Sequence, residues 1–316
     1  MKTMRIKYSE ASKILTAKDN FLIITHRNPD GDAIGSAAAL CSALQRNGKK
    51  AYLYPNPQIT PKYMRFAEKF LAPESFSPDY VIAVDTASES QFPNGFGGNV
   101  DCCFDHHPSN TAYAQNLLLE AERAACGEII RKLIRMTWGS VTKEEATLLY
   151  MALSTDTGCF LYSNTDEHAF KTAADLVKDG ADTELVNNTF FRKISPARMK
   201  LEGLIYNGME FYRERQIAVA VVTQKMLEEC GTDEDDLDDL AAIAGRAMGA
   251  KLSITIKETD KGTCRISLRS DDDVNSSDIC AVFGGGGHKK AAGCSIDSSP
   301  ERAKEMLLDV VNEIWH

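Results

Sequence analysis

Three short apolar runs in the first half of the chain each end on a residue able to bind a cation: "FLIITH" on His26, "YVIAVD" on Asp85, and "VDCCFDHH" on Asp105, His106 and His107. Around them lie segments of helical length and character, among them "AIGSAAALCSALQRNG", "ERAACGEIIRKLIRMTW" and "KEEATLLYMALSTD". Strands alternating with helices of this size specify an α/β fold, a mostly parallel sheet flanked by helices, and the pattern reads as helices on both faces. In an open parallel sheet the carboxyl ends of neighbouring strands reach one edge, where such folds bind ligands. His26, Asp85 and His106 belong at that edge, where Asp30 and Asp32 of "THRNPDGDAIGS" and Asp156 of "ALSTDTG" can join them.

Taken one at a time, an Asp after a strand is a turn residue or helix N-cap, and a lone His is a hydrogen-bonded surface or core group. Jointly the reading changes, because four of the six histidines, His26, His106, His107 and His288, sit in such clusters. So many acids at one edge would repel one another unless cations neutralised them. Carboxylates and imidazoles without a thiolate suit a hard-to-borderline divalent ion, with Mn2+ favoured over Mg2+ where His binds. The expectation is two divalent ions, an arrangement that serves phosphoester and phosphoanhydride hydrolysis.

From about Thr183 to Tyr212 the pattern is helical and more charged, broken at Ser195-Pro196, and reads as a connector. After it come a strand, "QIAVAVVT", an acid-started helix, "DEDDLDDLAAIAGRAMG", and two strands, "AKLSITIKE" and "GTCRISLRS", which form a smaller α/β unit. The boundaries expected are 1–190 for a metal-binding catalytic domain, 191–212 for a helical connector and 213–316 for a substrate-binding domain. The acidic run Asp233 to Asp239 lacks the spaced ligands and central Gly of a calcium loop, and reads as a solvated helix start. The stretch "GGGGHKKAAG" is either a flexible loop or a place where backbone N–H groups approach an anion. In the second case Arg269 and His288 would assist, with Gly285, Gly286 and Gly287 beside the ligand, and Lys289 and Lys290 either add charge or lie solvated.

The net charge of −9 over 316 residues argues against a protein that coats long nucleic acid, since that affinity comes from many Lys and Arg contacts to phosphate. A short anionic ligand at one site stays open. The nine cysteines form no CxxC pair and no zinc-finger spacing, so reduced thiols are expected. Apolar runs such as "FLII" and "IAVAVV", four and six residues, fall far short of the roughly 18 a spanning helix needs. A cytoplasmic protein with no membrane partner is therefore expected, and a homodimer is compatible with the sequence.

In this order and spacing the motifs resemble those of the DHH/DHHA1 phosphoesterase family. "THRNPDGDAIGS", "VDTAS", "DHHPSN" and "STDTGCF" are similar to its four N-terminal motifs, and "SLRS" followed by "FGGGGHKKAAG" to its DHHA1 signature. The resemblance implies one ion on His26, Asp30 and Asp85 and another on Asp32, Asp85, His106 and Asp156, with Asp85 bridging. Asp105 would orient a histidine, and His107 would touch the scissile phosphate or protonate the leaving oxygen. Within the family, the lack of an oligonucleotide-binding domain, of a Ser-Arg-Lys-Lys signature and of membrane segments leaves the compact type similar to bacterial nanoRNases. These enzymes hydrolyse short oligoribonucleotides and 3′-phosphoadenosine 5′-phosphate, here by a two-metal hydroxide attack. The alternatives are a cyclic di-AMP or pApA phosphodiesterase, an exopolyphosphatase- or pyrophosphatase-like enzyme, or a nucleotide-sensing binding protein.

Overall fold

The apolar runs do form the strands of one sheet. In the computed structural model, which describes residues 3–315 apart from Glu234, Asp238, Asp239 and Asp260, six strands lie in the order β1-β6-β5-β4-β2-β3, every pair parallel. They are β1 (Met4–Arg5), β2 (Phe21–Ile24), β3 (Ala51–Leu53), β4 (Tyr80–Val84), β5 (Cys102–Asp105) and β6 (Asn116–Leu119). The helices of this unit are α1 (Tyr8–Ala17), α2 (Gly31–Arg46), α3 (Pro61–Ala67), α4 (Cys126–Trp138), α5 (Lys143–Asp156), α6 (Glu167–Lys178) and α7 (Thr183–Asn187). A parallel sheet buried on both faces needs near-continuous apolar strands, which is how β2, β4 and β5 read.

The two faces are covered differently. Phe21, Ile23, Ile82, Val84 and Phe104 point to one side and pack with the helices. Leu22, Ile24, Ala83, Cys103 and Leu117 point to the other, where Phe76, Phe92, Phe96 and Tyr113 from loops close the core. Helices on both faces, as the alternation suggested, are not found. The reason lies in the connections: β4 to β5 holds only a 3₁₀ turn, Glu89–Gln91, and β5 to β6 only a loop.

Helices α2 and α5 pack against each other with little between their backbones. A side-chain carbon at Gly35 would lie 2.3 Å from the Leu148 carbonyl, and one at Gly31 would lie 2.3 Å from Thr155 Oγ1. The run of Ala and Gly in α2 therefore serves approach rather than flexibility, and it brings the start of α2 beside the end of α5.

The chain divides into two units, the first ending at Lys193 and the second beginning at Ile194. In the second, strands β7 (Glu210–Tyr212), β8 (Ile217–Val222), β9 (Leu252–Glu258), β10 (Cys264–Ser270), β11 (Gly286–His288) and β12 (Ala291–Ile296) form a sheet in the order β11-β12-β10-β9-β8-β7, mixed because only β8 and β9 run parallel. Helices α8 (Pro196–Asn207), α9 (Gln224–Cys230), α10 (Ala241–Gly245), α11 (Ser276–Val282) and α12 (Pro300–Ile314) pack on it. The segment 191–212 is shared out. A π-turn, Asn188–Arg192, closes the first unit, while α8 buries Leu201 and Ile205 among Ala218, Ala220 and Val222 of the second.

The acid-rich stretch differs from the single helix expected. Its described residues form a 3₁₀ turn, Asp235–Leu237, and then the short α10, while Glu234, Asp238 and Asp239 lie outside the described residues. Asp236 is buried rather than solvated. It accepts from Ser195 Oγ and from the Asp233 N–H, and its carbonyl accepts from Arg198.

Candidate metal centre

Strands β2, β4 and β5 are neighbours, so the residues after them meet at the carboxyl edge of the sheet, with the start of α2 and the end of α5 alongside. His26 Nε2 lies 3.8 Å from Asp30 Oδ1 and 3.9 Å from Asp85 Oδ2. His106 Nε2 lies 3.7 Å from Asp32 Oδ2, 3.5 Å from Asp85 Oδ1 and 3.7 Å from Asp156 Oδ2. Ligand atoms each about 2.1 Å from one ion stand roughly 3–4 Å apart, so these spacings suit coordination rather than direct hydrogen bonding. Three donor groups result, His26 with Asp30 and Asp85, Asp32 with His106 and Asp156, and Asp85 with His106 and His107, and both oxygens of Asp85 face a histidine.

Asp85 is the test of fit. It is buried, and its Oδ1 has no hydrogen-bond partner among the described residues. Burial, together with the charges of Asp32, Asp30, Asp105 and Asp156, pushes its carboxyl well above the usual range. Its backbone is held at φ 54°, a left-handed conformation that Asp tolerates better than most residues but that still costs strain. An orphaned, strained, buried carboxylate among other acids is what a cation would compensate, and a divalent ion fits this donor set.

The other acids are tuned individually. Burial and the nearby Asp32 push Asp156 up to about 8, against the opposing pull of His106. Burial also pushes Asp32 up to about 6, although His106 and several N–H donors lower it. Its oxygens accept from Cys126 N (2.6 Å), Gly127 N (2.9 Å) and Ser36 Oγ (2.9 Å), so the carboxylate sits on the N-terminus of α4. Asp30 is the N-cap the sequence allowed and also stands among the candidate ligands. Its Oδ1 caps α2 by accepting from Asp32 N (3.1 Å) and Ala33 N (3.0 Å), and His26 together with these bonds holds its carboxyl below the usual range.

The two adjacent histidines are held differently. The Arg123 carbonyl lies 3.0 Å from His106 Nδ1, which fixes Nδ1–H as donor and leaves Nε2 for a cation. His107 Nδ1 lies 2.8 Å from Asp105 Oδ1 and 3.6 Å from Asp85 Oδ1. Asp105 is fully buried and accepts from His106 N (2.8 Å) and Asn110 Nδ2 (2.6 Å); against burial, His107 and Asn110 hold its carboxyl low. It is thus an anchored carboxylate that orients His107. Sequence reasoning did not find Asn110, the Arg123 carbonyl, or Asn56, whose amide donates to the Arg27 carbonyl (3.0 Å) and steadies the His26 turn. Asn110 stood in the quoted "DHHPSN", but a backbone carbonyl leaves no trace in residue types.

In the second unit, Arg269 of β10 and His288 of β11 both pair with Ala291 of β12. Directly paired residues share a face, so the two side chains stand on one side of the sheet, about 10 Å apart across three strands. Gly286 and Gly287 lie in β11, whereas Gly284 and Gly285 precede it. A side-chain carbon at Gly285 would lie 2.3 Å from the Gly293 carbonyl and one at Gly287, at φ 150°, 2.5 Å from that of Ala291, whereas Gly286 is open. Hairpin closeness thus accounts for Gly285 and Gly287, whereas Gly286, like Gly284, has open space where a side chain would stand. Lys289 Nζ donates to the Asp272 carbonyl (2.9 Å), and Lys290 pairs with the Asp272 carboxylate (2.9 Å).

Fold and cluster together define an α/β protein with a carboxylate–imidazole centre at a parallel sheet edge, and comparison with known proteins gives the family. Residues 20–153 match the DHH family, N-terminal domain, and residues 215–316 match the DHHA1 domain. A bifunctional oligoribonuclease and PAP phosphatase NrnA of Thermus thermophilus is 31% identical over 92% of this chain and 89% of its own. A cyclic-di-AMP phosphodiesterase GdpP of Bacillus subtilis is 26% identical over 93% of this chain but 48% of its own. Among solved structures, an exopolyphosphatase-related protein of Bacteroides fragilis matches at TM-score 0.87 and 21% identity, covering 97% of this chain and 95% of its own, a likeness of fold. The chain belongs to the DHH family and carries a DHHA1 domain.

Proposed function

We propose that this protein is a metal-dependent phosphoesterase acting on short oligoribonucleotides and on 3′-phosphoadenosine 5′-phosphate. The observation that carries the reading is the set of overlapping donor groups, two of which include Asp85, whose buried Oδ1 has no hydrogen-bond partner among the described residues. Likeness to the Thermus thermophilus oligoribonuclease and PAP phosphatase over nearly both full lengths supports the substrate class. Divalent ions, when bound, supply positive charge that polarises the phosphoryl oxygens and lowers the pKa of water. His26, Asp30 and Asp85 would hold one ion and Asp32, Asp85, His106 and Asp156 the other; imidazole with carboxylate and no thiolate favours Mn2+, with Mg2+ as second choice.

The protein's own groups then divide the work. Asp105 holds His107 through Nδ1, which fixes the ring and leaves Nε2 to contact the scissile phosphate or donate a proton to the leaving oxygen. In the second unit Arg269 offers a permanently charged, bidentate grip on phosphate, with His288 on the same face of its sheet and Gly286 leaving room. No helix among the described residues is long and apolar enough to cross a membrane, and all nine cysteines are free, which fits a cytoplasmic nucleotide hydrolase.

A second reading, hydrolysis of cyclic di-AMP or pApA, draws on the likeness to the Bacillus subtilis cyclic-di-AMP phosphodiesterase. Product analysis of short RNA, 3′-phosphoadenosine 5′-phosphate, pApA, cyclic di-AMP and pyrophosphate under one Mn2+ condition decides between them. Turnover of the first two is expected. Cleavage of cyclic di-AMP alone favours the second reading, and no phosphate ester cleaved would end both.

A further inference from the structure

Between Asp156 and α6 the chain makes a tight loop whose backbone is costly. Gly158, Cys159 and Phe160 take φ of 54°, 56° and 67° in succession, and two of these residues carry side chains. The loop is nevertheless tied down firmly. The Thr157 carbonyl accepts from the N–H groups of both Leu161 and Tyr162 (3.0 Å each), and Cys159 N–H donates to Ser154 O (2.7 Å). Asn164 Nδ2 donates to the main-chain oxygen of Asp156 (3.1 Å), bringing the far end of the loop back to that candidate metal ligand.

This strain serves display rather than burial. Phe160 turns inward and stacks on Phe170, ring centroids 5.5 Å apart, but Leu161 is left 84% exposed and Tyr162 53% exposed. The Tyr162 ring is not loose. A side-chain carbon on Gly158 would lie 2.4–2.7 Å from its Cζ, Cε1 and Cε2 atoms, so the ring lies against the bare backbone of Gly158. A half-exposed aromatic ring seated on Gly158 thus stands beside an exposed leucine, six residues from Asp156 in the chain.

We propose that Tyr162, flanked by Leu161, is the stacking surface for a nucleobase of the substrate, and so a specificity-determining residue of this site. The inference rests on the phosphoesterase reading and deepens it. Every base offers a π-face, so an aromatic platform selects nucleotides over other phosphate esters while tolerating any base sequence. A ring already immobilised loses little freedom when a base settles on it. Glycine at 158 is then explained twice, by its left-handed backbone and by the space its missing side chain leaves for the ring.

The test uses the full-length protein with Mn2+, pApA and the abasic analogue that keeps the same sugars and phosphates. Tyr162→Ala should raise KM for pApA on the order of tenfold, move KM for the abasic substrate less than twofold, and leave Mn2+ binding intact, while Tyr162→Phe retains wild-type behaviour. Fluorescence of pApA carrying 2-aminopurine, quenched when that base stacks, gives a readout independent of turnover; Tyr162→Ala should abolish the quench. An unchanged KM and quench in Tyr162→Ala, or equal losses on both substrates, would overturn the proposal. If the wild-type protein cleaves neither substrate, the phosphoesterase reading fails, and the quench alone then decides whether a base stacks on Tyr162.

Discussion

Asp85 concentrates the conflict at this site, because its carboxylate is buried among four other acids and its Oδ1 has no hydrogen-bond partner among the described residues. Asp85→Asn keeps shape and tolerance of positive φ while removing the charge. The variant should lose most bound metal by elemental analysis, yet melt higher than the wild type when both are chelated at pH 8, by about 1–2 kcal/mol. Retention of both ions would remove Asp85 from the bridge. The two histidines separate in the same way. His107→Ala should keep metal and lower kcat on the order of 10² to 10⁴, whereas His106→Ala should lose metal, and metal loss from both would show that they share one role. That these residues cluster was legible in the sequence, because acids and histidines at the ends of apolar runs are scarce and conspicuous. Their supports were less so, because the Arg123 carbonyl and the cap on Asp32 by Cys126 and Gly127 N–H groups depend on backbone position, which residue types do not encode.

At the scale of elements, the candidate metal ligands are only as well placed as α2 and α5, which carry Asp32 and Asp156 at their touching ends. Gly35→Ala would drive a methyl to within 2.3 Å of the Leu148 carbonyl and force the helices apart. Overpacking of this kind costs roughly 1–3 kcal/mol, and apparent metal affinity should fall along with Tm. Gly203 of α8, with nothing within 4 Å of its added carbon, is the contrast. Gly203→Ala should stabilise by roughly 0.5–1 kcal/mol through helix propensity, and a loss of stability there would mean that the packing of α8 is misjudged. Long strands and helices were read from period and length, whereas the two-residue β1 was not, being too short to show a period. The loop-covered sheet face was misjudged because strand–helix alternation does not say on which side each connection crosses. The acidic run failed as a helix because buried Asp236 takes Ser195 as partner, a tertiary contact that overrides the local charge pattern.

For the molecule as a whole, the acids of the first unit make stability without metal depend on pH in an unusual direction. Asp156 near 8 and Asp32 near 6 both lie above the ordinary carboxylate value of 3.8, and Asp85 is raised as well. Over that interval the folded chain binds more protons than the unfolded one, so folding stability falls as pH rises from about 4 through about 8, the reverse of the usual carboxylate contribution. Bound divalent cations reverse the sign, since they require the ionised forms and compete with protons. The Tm of chelated protein should therefore decline from pH 5 to pH 8, and the gain on adding Mn2+ should be small at pH 5 and largest at pH 8. Hydrogen exchange at pH 8 should locate the added protection in β2, β4, β5 and the α2–α5 pair, leaving β8 to β10 of the second unit less affected. A chelated Tm that rises across this range, or a Mn2+ effect independent of pH, would show that these carboxylates do not form the metal centre.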